Sequence, residues 1–209
     1  MRATHETRQR LLEAAGEVFA AAGFRAATVR EICQRAGANV AAVNYHFGDK
    51  AGLYLAVLKS GAEETVKKYP PTLGLGPQAT AEEQLHAFVR SLLFRIVEQG
   101  QSSWHGKLMA HEIAEPTEAL AELIDKVFRP LLERLLAIVQ KLLGPHATKT
   151  QVRQCALSVL GQCLYYYHSR PFIHRIAPEQ QFEPADIERL AQHITQFSLA
   201  GIRQAGGIH

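Results

Sequence analysis

An all-α protein is predicted by three observations. Apolar residues recur at three- and four-residue spacing through almost the whole chain. The runs are separated by glycine- and proline-marked breaks. No stretch alternates apolar and polar residues in the way a half-buried strand does. With 209 residues, 47% of them hydrophobic, the chain buries a full core as one or two domains. Nine helices account for the pattern.

Residues 1–4 read as a loose arm, with Arg2 free to approach a phosphate. The first helix is predicted from about His5 to Ala22, where Leu11, Leu12, Ala15, Val18, Phe19 and Ala22 form a buried stripe. Gly23 ends it and Phe24 packs back. Thr28 and Glu31 then make the T-x-x-E pattern of a capping box at the start of a second helix. Val29, Ile32, Cys33 and Ala36 line one face of that helix, and Gly37 supplies the left-handed conformation that closes it. Asn39 is a favoured N-cap for a third helix over about Val40 to His46, anchored by Val43 and Phe47. Gly48-Asp49 turns the chain, and Asp49 caps a fourth helix reaching about Lys68, with Leu53, Tyr54, Val57 and Leu58 inward. Tyr69-Pro70-Pro71 stops it ahead of a loop.

Five further helices follow from Thr80: about Ala81 to Gln99, Trp104 to Ala114, Pro116 to Leu143, Thr148 to His168 and Pro184 to Gln204. The segment 98–103 breaks the first of these from the next. Pro130 lies inside the third, where it removes a hydrogen bond and crowds the carbonyl four residues back, so a kink is expected near Lys126 to Pro130. In the Thr148–His168 helix apolar residues from Val152 to Tyr167 cover more than half the circumference, too much for a helix with one wet face. Part of it must therefore meet something beyond its own core. With Ile187, Leu190, Ala191, Ile194, Phe197 and Ile202 as a stripe on the final helix, two such helices per chain predict a four-helix interface across a two-fold axis. The plainer alternative is that both helices close a monomer core.

Two capped short helices joined by a Gly-containing turn are the signature of a helix-turn-helix. The exposed start of its second helix, Val40, Ala41, Ala42 and Asn44, is small and weakly charged, which suits a major groove about 12 Å wide. Alanine and valine methyls suit thymine methyls, and Asn44 suits adenine. Tyr45, His46 and Lys50 are suited to phosphate oxygens, which fix register without reading sequence. An ordinary helical hairpin with surface polar groups is the bland alternative.

The stretch from about Thr7 to Ala56, containing FAAAGFRAATVREICQRAGANVAAVNYHFGDKAGLYLAVL, resembles the TetR-type transcriptional regulators. The resemblance implies a nine-helix fold: a three-helix DNA-binding domain over residues 1–48, and an effector-binding and dimerisation domain over residues 49–209. The fourth helix is shared between the two. It implies backbone contacts from Thr28, Tyr45, His46 and Lys50, base-facing positions at Val40, Ala41, Ala42 and Asn44, and Asn39 at the helix start. Many relatives carry Tyr where Asn44 stands. The pattern N-x-A-A followed by Y-H-F-G-D-K, with E-x-x-x-P-T at Glu112–Thr117 and VLGQC at Val159–Cys163, is similar to the CecR/CerR-like subgroup.

Charge agrees with a nucleic-acid partner for the N-terminal part. Residues 1–60 hold eight Lys/Arg against five Asp/Glu, an excess of 8 − 5 = +3, and the remaining 15 of each sign balance. The whole net charge of +3 therefore lies on the proposed DNA-binding part. Cys33, Cys155 and Cys163 have no close-spaced pair, so no disulfide framework or zinc-finger spacing is read, and a reducing cytoplasm is the simplest setting. The opening Arg-bearing helix carries Glu6, Glu13 and Glu17, unlike a targeting helix. No run approaches the roughly 18 apolar residues of a membrane span.

His105, Met109 and Glu112 share a helix face with His111 nearby, but no HExxH or paired Cys/His motif accompanies them. No metal set, cofactor or catalytic residue is expected, and no nucleophile elbow frames a serine. A small-molecule effector site is expected among Phe94, Trp104, Leu108, Met109, Glu112, Phe128, Tyr165 and His168, each of which also reads as core packing. The resulting expectation is a homodimeric repressor on a near-palindromic operator, released by that effector. Its rivals are a DNA-binding regulator whose C-terminal part only dimerises or binds a partner protein, and a helical enzyme.

Overall fold

A computed structural model of the chain describes residues 2–98 and 104–207. Among them are helices and turns and no strand. The helices are α1 (Arg2–Ala26), α2 (Val29–Ala36), α3 (Val40–Phe47), α4 (Lys50–Lys68), α5 (Ala81–Leu93), α6 (Trp104–Ala114), α7 (Glu118–Leu123), α8 (Arg129–Leu143), α9 (Lys149–His168), α10 (Arg170–Ile176) and α11 (Pro184–Ala205). A π-helical turn, Phe94–Glu98, extends α5, and another, Ile124–Phe128, joins α7 to α8 without interruption. Counting α7 to α8 once, the described residues form ten helices, one more than the sequence pattern suggests. The extra one is α10, too short for periodicity to reveal, with proline in its first turn. The expected end of the fifth helix at Gln99, and most of the expected break over 98–103, lie outside the described residues.

Most helix ends follow from local chemistry. Thr80 with Glu83 and Thr148 with Gln151 form reciprocal capping boxes. The expected loose arm is not seen from Arg2 onward, where the backbone is already helical. Gly23 has φ 72 and ψ 170, so the first helix does break where predicted before one further turn to Ala26. The π turn Ile124–Phe128 falls just ahead of Pro130, where the absent N–H and crowded carbonyl disrupt the regular ladder.

The chain divides into two compact units, Met1–Glu64 with Gln101–Phe128, and Thr65–Gly100 with Arg129–His209. In the first, α1 packs on α2, α3 and α6. Its core contains Leu11, Phe19, Ile32, Val43, Leu53 and Leu108. Phe19, Phe24 and Tyr54 cluster, with the Tyr54 ring edge-on to Phe19 at 4.9 Å and 4.8 Å from Phe24. The Tyr54 hydroxyl donates to Glu112 Oε2 at 2.7 Å, while the Thr117 N–H and hydroxyl donate to Glu112 Oε1 at 2.8 and 2.9 Å. Glu112 is 0% exposed, so one carboxyl group ties α4 to α6 and holds the start of α7. Burial first, then the bond to Glu112 and its charge, push the Tyr54 phenol well above its usual range.

Two glycines admit the start of α6. A Cβ on Gly16 would lie 2.6 Å from the Trp104 ring, and one on Gly61 would lie 2.1 Å from His105 Cδ2. Trp104 and His105 stack at 3.6 Å between centroids. Burial lowers the His105 pKa, partly opposed by Glu64, whose Oε2 lies 3.9 Å from Nε2. The folded state thus favours neutral imidazole. Its contribution to stability is present above the ordinary histidine pKa and is lost as pH falls through that value toward the lowered native one. We expect thermal unfolding of His105→Gln to lack part of the wild-type decline below about pH 6.5. Equal declines in both proteins would contradict this.

In the second unit α11 packs on α5, α8 and α9, and α5 and α9 each pack on α8. Leu85, Phe88, Leu135, Val159, Ile187 and Ile194 are among its core residues. Arg90 Nε donates to both Glu188 oxygens, at 2.7 and 2.6 Å, which holds the Glu188 carboxyl below its usual range. An open cleft of about 410 Å³ runs past His86, Glu188, Arg189, Gln192, Thr195 and Gln196. Phe197, expected in the inward stripe of the last helix, is instead 65% exposed, because it lies at the edge of the buried face of α11, about 60° round from Ile194 and about 100° from Ser198. Cys33 and Cys163 are buried, whereas Cys155 is half-buried. No described helix is long and apolar enough to cross a membrane.

Candidate nucleic-acid interface and effector site

The helix-turn-helix is built by two capped ends facing a three-residue turn, Gly37 to Asn39. Thr28 Oγ1 accepts from the Glu31 N–H at 3.2 Å and so closes the start of α2. The second half of the expected capping box is not formed, because the Glu31 carboxylate accepts from Arg35 at 3.1 Å instead. At the other end Gly37 is left-handed (φ 59, ψ 41), and the Ala38 N–H reaches back to the Cys33 carbonyl at 2.9 Å. Asn39 Oδ1 accepts from the Ala42 N–H at 2.9 Å and starts α3. Val43 is fully buried and Phe47 packs against the same core. These two anchors fix which side of α3 is outward.

The outward side carries Val40, 49% exposed, Ala41, Asn44 and Tyr45, 78% exposed. Thr28 and Asn39 are exposed, while Ala42 and His46 are half-buried. Lys50 is half-buried too, and it donates from Nζ to the Arg25 carbonyl at 3.2 Å while lying 4.8 Å from the Phe24 ring centroid. Its ammonium therefore caps the end of α1 and keeps two N–H groups for another acceptor. Asp49 Oδ1 accepts from the Gly52 N–H at 2.8 Å and starts α4 as expected. The Arg8 guanidinium lies 5.4 Å from the Phe47 ring centroid, which sets a cation beside the end of α3. Sequence spacing does not reveal this, since the two positions are far apart in the chain. Arg35 pairs with Glu31 and lies 3.8 Å from Glu17, so it serves the scaffold.

The eight residues expected around an effector fall in different surroundings. Leu108 and Glu112 are core residues of the first unit, with Trp104 and Met109 packed beside that core and Phe128 exposed. Phe94 is buried in the second unit and stacks on Tyr69 at 5.3 Å. Tyr165 and His168 lie exposed on α9, in line with Leu157, Gly161 and Leu164. No three described His, Cys, Asp or Glu side chains converge in a way that would hold a metal ion.

Comparison with known proteins matches the N-terminal and the C-terminal helices to two family models. Residues 11–57 match the model of bacterial regulatory proteins of the tetR family, and residues 81–202 match the C-terminal domain of the HTH-type transcriptional dual regulator CecR. CecR of Shigella flexneri is 26% identical over 198 residues, covering 91% of this chain and 88% of that protein. The HTH-type transcriptional regulator SrpR of Pseudomonas putida is 41% identical over 70 residues, 34% of this chain and 33% of its own length. Among solved structures, a TetR transcriptional regulator from Chloroflexus aurantiacus superposes with a TM-score of 0.65 at 19% identity. That match covers 94% of this chain and 96% of that one, and it speaks for the fold.

Proposed function

The chain belongs to the TetR family of bacterial transcriptional regulators, with a C-terminal domain of the CecR type, and from that premise we propose that it binds a near-palindromic operator as a homodimer and is released by a small-molecule effector. Its role is in transcription and not in catalysis. The observation that carries the reading is the face of α3: Val40, Ala41, Asn44 and Tyr45 project outward while Val43 holds the helix from behind. In this reading Ala42 and Asn44 bear on sequence choice, and Thr28, Tyr45, His46 and Lys50 on phosphates, with Asn39 at the helix start. Arg8 adds charge at the other end. The functional boundary is at residue 48/49, with α4 as the link.

Two-fold association is supported by the outer surface of α9 and α11. Leu157, Leu164 and Tyr165 are exposed on α9 and Phe197 on α11. Gly161 and Gly201 have open space where a Cβ would sit. A second copy covers this apolar face and sets two α3 helices about 34 Å apart, one turn of duplex. Tyr165 and His168 thereby pass from effector lining to association surface.

Effector release is supported by how α6 is tied to α4. The Tyr54–Glu112 bond and the Gly61–His105 contact join the two helices, and Lys50 and Asp49 join α4 to the hairpin. An effector that displaces α6 therefore pulls on α4. To move the ratio of released to operator-bound forms from 1:99 to 99:1 it must prefer the released form by about 5.5 kcal/mol.

Footprinting and gel-shift titration on DNA beside the protein's own gene test the reading. Tyr45→Ala is expected to weaken binding about tenfold or more on every sequence, counted over both half-sites, with an unchanged salt slope, because a neutral phenol releases no counterion. Asn44→Ala is expected to relax base preference at one symmetric position instead. Unchanged binding in both variants would remove α3 from the interface.

A further inference from the structure

The π turn at the end of α5 holds a side chain that the described residues satisfy only in part. Arg95 is only 8% exposed, yet its Nη2 is buried with no hydrogen-bond acceptor. Its Nε donates to the Ser91 carbonyl at 3.3 Å. None of the described carboxylates reaches it: Glu188 is taken by Arg90, and Asp186 by Arg189. The neighbouring Cys163 supplies no counter-charge, since burial pushes its thiol up to about 12 and keeps it neutral. Burial also pushes Arg95 itself down to about 10, which leaves it a cation at neutral pH.

A guanidinium carries five N–H donors and keeps its charge, so a buried one without a counter-charge is normally costly. The core that holds this turn is apolar: it contains its chain neighbours Leu93 and Phe94 and, from α9, Val159 and Cys163, with Ile96 and Tyr166 packed against it. The local backbone is a π turn, a form frequent at functional positions.

We infer that Arg95 is the anchor for an amphipathic monocarboxylate, whose carboxyl group accepts from the buried guanidinium while its apolar body lies among the neighbouring core side chains. A single cation with no carboxylate partner among the described side chains favours a monoanion over a phosphate dianion. The apolar surroundings favour a hydrocarbon tail over a second polar group. Because Nη2 is itself buried, neighbouring side chains must shift to admit the ligand. This deepens the effector reading and rests on it.

The test uses the full chain and four probes: decanoate below its micelle concentration, decanol, acetate and inorganic phosphate. Decanoate is expected to raise the unfolding temperature and to release DNA. Decanol, lacking the charge, acetate, lacking the tail, and phosphate are expected to do neither. Arg95→Met should fold with an unchanged or higher unfolding temperature, bind DNA as the wild type does without ligand, and bind decanoate at least tenfold more weakly. Arg95→Lys keeps the charge but not the fork, and should fall between the two.

Three results would overturn the inference: no response to decanoate, an equal response to decanol, or an undiminished response in both Arg95 variants. A response to phosphate or acetate alone would do so as well, since it would reduce the site to an adventitious ion. Failure to bind DNA at all would defeat the regulatory reading separately, because the unfolding-temperature readout does not depend on DNA.

Discussion

A protein carrying both Leu164→Glu and Phe197→Glu is expected to be monomeric and to lose operator affinity by about a hundredfold to ten-thousandfold. Both side chains are exposed within one chain, so their replacement costs that chain little core packing. In a two-fold assembly each residue meets the partner's copy of the same surface, and four added carboxylates then repel one another away from water. The loss on DNA follows from valency. Once one α3 is bound, the second binds at an effective concentration set by the tether between them, and a monomer forfeits that gain. Sedimentation gives the assembly state, circular dichroism shows whether helicity is kept, and operator titration gives the affinity. A dimer that persists with both glutamates in place would assign association to another face.

Glu112→Ala is expected to cost about 3 kcal/mol, since it strands a buried tyrosine hydroxyl and the Thr117 donors in one step. For a chain of this size that is a fall of about 6–12 °C in Tm. Tyr54→Phe removes one donor and keeps the carboxyl group tied to Thr117, so about 1 kcal/mol is expected there. Glu112→Gln retains an acceptor at the same position and should fall between. The double variant should cost less than the sum, because both changes break the same bond. Calorimetry of the four proteins measures each of these. A cost below about 1 kcal/mol for Glu112→Ala would mean that the side chain is not closed in as the structure has it.

The elements legible in the sequence are those whose cause is local. Thr28, Asn39, Thr80 and Thr148 each act within three residues, and Gly37 ends α2 by its own conformation. The disturbance before Pro130 follows from one missing N–H. What escaped has a distant cause. Phe197 has helical spacing on both sides, and only packing decides that Ile194 faces in and Phe197 out. The E-x-x-x-P-T segment is visible as a pattern, but its meaning, a carboxyl group shared between Tyr54 and Thr117, depends on a residue 58 positions earlier. Arg8 beside Phe47 and Lys50 beneath Arg25 are of the same kind. Arg95 drew no expectation from the sequence, and the π turn in which it lies is announced by no spacing rule.

Trp104 is the chain's single tryptophan, and the structure sets its ring against Gly16 and stacks it on the His105 imidazole. All ultraviolet-excited indole emission therefore arises from one spot at the seam between the first and sixth helices. Should that seam part, the fluorophore would meet water, its spectrum would shift to the red, and stopped-flow mixing would time the event without any added dye.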